Sequence, residues 1–229
     1  MELTRNRMVL AFLALTFLIP TSAVFAADHR VEVLNEPAPA DIVGPKIAGV
    51  LAPKGIQVIR GTSRVVCEIW LCKEWQVDSL KAGDQFLYPF RQGQFIGVAR
   101  FPRKGGEFRD QDVEKGVYTL RYAQMPVDGA HVGVSPTRDF LLLVAIDDED
   151  SLDDIKYDDL ATVSADAVGS SHPGLLSMKK VTDDGKKAPS IRHDEENDWW
   201  IARLQGIAKA GDQSKDLVFD LVVVGFAEE

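Results

Sequence analysis

Apolar and polar residues alternate with a period of two along most of this chain, the signature of strands with one face turned to a core. Residues 65–73 set Val65, Cys67, Ile69 and Leu71 against Val66, Glu68, Trp70 and Cys72, and residues 56–60 precede them across Gly61-Thr62-Ser63, which predicts a hairpin. Residues 117–123 put Tyr118, Leu120 and Tyr122 on one side and Val117, Thr119 and Arg121 on the other. A further strand is predicted over 95–101, ended by Pro102 and Gly105-Gly106. The run FLLLVAI at 140–146 has no polar position, so it belongs in the middle of a sheet with both faces covered. Strands resume over 175–181, 199–204 and 217–226, with an Asp184-Gly185 turn in the polar stretch between the first two.

One region breaks the pattern. From Ser151 to Val168 the period becomes helical, with Tyr157, Leu160, Ala161, Ser164 and Val168 on one stripe, Ser151 and Asp154 as a capping pair and Gly169 as a stop. Seven to eight short antiparallel strands with a single helical insertion near 151–169 predict a mainly β fold, a β-sandwich over residues 55–229, with an open barrel as the competing arrangement. Residues 27–54, with Pro37, Pro39 and Pro45, read as an extended lead-in.

Residues 1–26 read as a secretory leader: Arg5 and Arg7, an apolar run of about twelve residues from Met8, then Val24-Phe25-Ala26 as a small/x/small cleavage signal. The run is too short for a bilayer that needs about 20 residues, so the expectation is cleavage after Ala26, no membrane span afterwards, and a periplasmic or secreted protein. The net charge is −9, and loss of Glu2, Arg5 and Arg7 takes it to −10. Such a surface argues against nucleic acid and anionic lipid, which require basic patches.

Export permits disulfides, and the two cysteines are Cys67 and Cys72. Five steps along a regular strand set their side chains on opposite faces about 16 Å apart, so a bond requires a bend; packed thiols are the alternative.

The stretches GVYTLRY (116–122), PVDGAHVG (126–133), DFLLL (139–143), SSHPGLL (170–176) and LVVVG (221–225) resemble a family of secreted bacterial proteins that has no assigned activity. The likeness covers most of the chain from Gly55 and lies in motif spacing. Residues 115–120 followed by Pro126 are similar, more loosely, to a Gly-x-Tyr-x-Leu turn and strand in other secreted β-sandwich proteins. Neither resemblance implies a catalytic residue.

Two kinds of site are open. Trp75, Trp199 and Trp200 supply aromatic surface for a protein or glycan partner in the cell envelope; adjacent residues in a strand face opposite ways, so Trp199 and Trp200 cannot share one core. Alternatively, the loop PVDGAHVGVSPTRDF, 126–140, carries Asp128, His131 and Asp139, which with His172 could gather one divalent metal ion for hydrolytic chemistry; the competing account is a long turn built on Asp128-Gly129 and Pro136. His193 lies among carboxylates that favour its protonated form. Asp110, Asp112 and Glu114 begin like a calcium loop but lack the glycine and glutamate positions of one, and Asp147 to Asp150 read as a solvated charge run. No nucleophile elbow, zinc-protease helix, phosphate loop or dinucleotide fingerprint is present. A non-catalytic binding module with no cofactor is the leading expectation, and the metal site is the alternative.

Overall fold

The structure, a computed structural model, describes residues 28–127, 137–149 and 151–227. In chain order the elements are β1 (His29–Leu34), α1 (Ala40–Val50), β2 (Gly55–Arg60), β3 (Arg64–Leu71), β4 (Trp75–Gln76), β5 (Phe95–Phe101), β6 (Gly105–Gly106), β7 (Asp112–Val113) and β8 (Gly116–Gln124). There follow β9 (Asp139–Ala145), α2 (Tyr157–Ala167), β10 (Leu175–Lys179), β11 (Ser190–Asp194), β12 (Trp199–Ala210) and β13 (Gln213–Val224). No helix among the described residues is long and apolar enough to cross a membrane.

The fold is mainly β, as the alternation predicts. Instead of two separate sheets, ten strands form one antiparallel path in the order β1-β2-β3-β5-β8-β9-β10-β13-β12-β11, with β4 added parallel to the far end of β12. Strand β10 is the corner. Its Leu175, Leu176 and Ser177 pair with β9, whereas Met178 and Lys179 pair with β13, so the path turns from a broad limb (β1 to β9) into a narrow one (β11 to β13). The limbs share one core, in which Ile69, Val98, Leu120 and Leu141 of the first pack with Leu204 and Phe219 of the second. The sheet thus curls until its two ends, β1 and β11, lie side by side without joining.

Strand β9 occupies the interior position expected of FLLLVAI. Leu141 and Leu143 enter the main core, while Phe140, Leu142 and Val144 point the other way into a second cluster closed by Leu160 of α2. Helix α2 begins later than its stripe suggests. The Ser151 hydroxyl accepts the Asp153 amide, and Asp154 pairs with Arg91, so neither residue caps the helix. Residues 27–54 depart from the extended lead-in expected of them. His29–Leu34 adds an edge strand to β2, and α1 forms with Pro39 at its N-cap, where a missing amide costs nothing. It breaks once, at Gly44, whose φ of 74° leaves room for Pro45 to restart the turn.

Two buried ion networks pin the curl. Arg121 of β8 is wholly buried; its guanidinium donates to both carboxylate oxygens of Glu149 (2.9 and 2.7 Å) and to the carbonyls of Gly93, Ser151 and Asp153. Glu149 therefore corrects the reading of 147–150 as a solvated run: its side chain is 2% exposed. On the other limb Arg203 of β12 donates to Asp220 of β13 at 2.9 Å and to Asp184 at 2.6 Å.

Candidate functional site

The seam between β1 and β11 is where the molecule leaves chemistry unfinished. In the β1/β2 pair the Gly61 amide donates to the Asp28 carbonyl, and His29 faces Arg60. Bonded and non-bonded pairs alternate in an antiparallel ladder, so the backbone groups of His29, Val31 and Val33 turn away from β2 and toward the seam. β11 is the other end of the path, bonded on one side to β12.

One end of this seam is plugged. The Trp200 ring meets His193, stacked at 4.4 Å and 13°, and His29, tilted at 4.6 Å. His193 Nε2 is 2.7 Å from Asp198. His29 is 6% exposed, and neither of its ring nitrogens has a hydrogen-bond partner. Burial, then the charge of Arg60, holds its imidazole below the ordinary histidine range.

The other end is open. A cavity of about 490 Å³ lies between β2–β3 and β12, beneath Val33 and Pro189. Its walls are largely apolar, including Ile56, Leu71 and Ile207, and Lys54, Lys73 and Asp216 supply charge at its edges. Val33 and Ile207 are 47% and 42% exposed, unusual for large aliphatic side chains. The cavity is maintained from below: at Gly206 a Cβ would sit 2.3 Å from the Trp75 ring, so only glycine lets β12 pass over that indole.

A second hollow of about 350 Å³ lies on the opposite face of the broad limb, floored by Met125, Phe140, Leu142 and Leu175, with Arg109 and His172 among its polar lining. It has no free sheet edge.

The residues singled out from sequence fall as follows. Trp75 is core: it is 1% exposed, donates from Nε1 to the Ile96 carbonyl and meets Phe90 and Phe219 edge-on. Trp199 is buried against Phe108, its Nε1 donating to the Phe226 carbonyl. Trp200 alone is half-buried, with His193 stacked on its ring and His29 tilted against it. None of the three offers an open platform for a sugar ring. Their burial follows from partners far away in sequence.

Of the metal candidates, Asp128 and His131 lie outside the described residues. Asp139 faces inward with Leu141 and accepts the Tyr122 hydroxyl at 2.6 Å and the amides of Leu87 and Tyr88. Burial raises its pKa. His172 is exposed at the outer hollow, whose floor is made by Phe140 and Leu142. Neighbouring strand residues point to opposite faces, so Asp139 and His172 stand on opposite sides of the sheet and cannot share an ion. Among the described residues no group of three metal-ligating side chains gathers.

Cys67 and Cys72 are buried free thiols, as the strand geometry favours, and burial pushes both up to about 12. They are protonated at neutral pH and poor nucleophiles.

Sequence patterning did not reveal Lys179. Its ammonium lies 3.9 Å from the Trp199 ring centre and 5.1 Å from that of Phe108, without a hydrogen-bond partner, and burial lowers its pKa to about 8.

Comparison of the chain with protein-family models, curated proteins and solved structures returns no match.

Proposed function

We propose that the protein is an exported, non-catalytic β module that captures an extended segment of a protein partner in the seam. The observation that carries this reading is the pair of unbonded edges, β1 and β11, above an apolar cavity flanked by exposed Val33 and Ile207. A strand laid along β1 gains main-chain hydrogen bonds from the outward groups of Val31 and Val33, and its alternate side chains enter the cavity, the usual division of affinity and selectivity in strand addition. A protein is favoured over a glycan because the tryptophans that would stack on a sugar are buried or covered. The leader motif and the likeness to secreted β proteins support export. The buried Asp139 carboxylate and the high-pKa thiols support a binding role over catalysis.

The test is capture from envelope extract followed by amide exchange on the recovered complex. Slowed exchange at Val31 and Val33, lost together with capture in Val31→Pro and Ile207→Asp, is the expected result. A partner retained by both variants, or one lost only on Trp200→Ala, removes this reading.

A further inference from the structure

The hollow on the outer face of the broad limb pairs an apolar floor with a cation. Met125, just past β8, Phe140 and Leu142 of β9 and Leu175 of β10 floor a space of about 350 Å³, within the range of about 300–1,000 Å³ that small-molecule sites occupy. These four side chains belong to the outer cluster that Leu160 of α2 also joins, and Tyr157, the first residue of α2, stands at the edge of the hollow.

Arg109 is brought there by a stapled turn. Between β6 and β7 the buried Glu107 carboxylate accepts the amides of Arg109 (2.6 Å) and Gln111 (3.1 Å) on one oxygen and that of Leu175 (2.9 Å) on the other. The Phe108 amide donates to the Leu175 carbonyl at 2.9 Å, so the turn is fixed to β10 through both backbone groups of one residue. Among the described residues the half-buried Arg109 guanidinium makes no hydrogen bond, and the carboxylate whose charge it feels, Glu107, is committed to amides.

Charge selects the class of ligand. The chain has 35 acidic residues, yet none is among the described residues that line the hollow, whereas Arg109 and His172 both are. A net charge of −9 opposes polyanions and lipid surfaces, but a single carboxylate needs only one cation. A guanidinium meets a carboxylate with two parallel hydrogen bonds, and removing an apolar tail from water supplies further affinity.

We propose that the outer hollow binds an amphipathic monocarboxylate, with Arg109 taking the carboxylate and Met125, Phe140, Leu142 and Leu175 taking the apolar tail. Binding makes and breaks no covalent bond, and the site is independent of strand capture in the seam.

The methionines supply the test. Met125 lines the hollow, whereas Met178 is wholly buried in the main core on the other face of the sheet. Isotopically labelled methionine methyl groups therefore report the site and an internal control in one NMR spectrum, with Met125→Leu assigning the resonance. Titration with decanoate, kept below the concentration at which it forms micelles, is expected to move the Met125 resonance to saturation and to leave that of Met178 in place. Decanol, which has the same tail without the charge, binds at least about tenfold more weakly. Arg109→Met lowers the affinity for decanoate to that for decanol and leaves the affinity for decanol unchanged. A Met125 resonance that decanoate does not move overturns the site, including when the seam cavity takes the ligand instead. Equal affinity for decanoate and decanol, or decanoate binding unchanged in Arg109→Met, also overturns it, because nothing in the hollow then reads the charge.

Discussion

The two sides of the curled sheet are opposites in finish. Around β9 and β10 every strand has neighbours on both sides, Leu143 and Leu141 are fully buried, and a second layer of Phe140, Leu142 and Leu160 covers the outer face. At the seam β1 and β11 each have one bonded neighbour, and aliphatic side chains remain in water. One side holds the fold, and the other is the side to which partner capture is assigned above. Substitutions should separate the two roles.

The largest effect is expected on the finished side. Arg121→Met leaves Glu149 buried without its cation and takes a donor from the carbonyls of Gly93, Ser151 and Asp153, and should cost about 3–5 kcal/mol in urea unfolding. Leu143→Ala should cost about 2–5 kcal/mol by opening a cavity in packed core. A loss below about 1 kcal/mol for either would show that the closed side is less rigid than its packing implies.

Lys179 sharpens the contrast, because it is a flaw within that finished side. Burial lowers its folded pKa to about 8, below the 10.5 of an exposed lysine. Between these pH values the unfolded chain binds more protons, so stability from this group rises with pH across the window; below pH 8 the burial cost is constant. Lys179→Met should therefore stabilise the protein at pH 7, by roughly 3 kcal/mol if the whole shift is expressed. The advantage should shrink from pH 8 and vanish near 10.5. Unfolding midpoints of both proteins against pH give this difference directly, and a constant gap would remove the argument.

The smallest effect on stability belongs to the seam. Val33→Ala and Ile207→Asp should each change unfolding free energy by no more than about 0.5 kcal/mol, as at other exposed sites, while Ile207→Asp abolishes partner capture. If Ile207→Asp instead destabilises as strongly as Leu143→Ala, the cavity is part of the core and the contrast between the two sides fails.

This division was only half legible in the sequence. β9 could be read from FLLLVAI because a strand covered on both faces has no polar position to place, and the β2–β3 hairpin because Gly61-Thr62-Ser63 joins two alternating runs. Helix α1 was hidden by its prolines, which suggest extended chain yet fit a first turn and a kink. Glu149 resembled its solvated neighbours because its partner, Arg121, is 28 residues away in another strand. The seam had no local signature: that β1 and β11 end up adjacent is a property of strand order, and no window of sequence encodes it. For the same reason Trp75, at a site defined by Gly206 and Phe219, was read as spare.

The free edges also affect how many molecules can stay in one solution. β1 of one copy offered to β11 of the next is a head-to-tail contact, and such contacts propagate into fibres unless their rotation closes a ring. Features that work against this are present: Arg30 and Glu32 stand exposed along β1, Pro189 withholds an amide just before β11, and a net charge of −9 makes copies repel one another. The acidity that argues against a nucleic-acid partner thus also opposes self-polymerisation. That barrier weakens as salt screens it, so light scattering should rise with ionic strength.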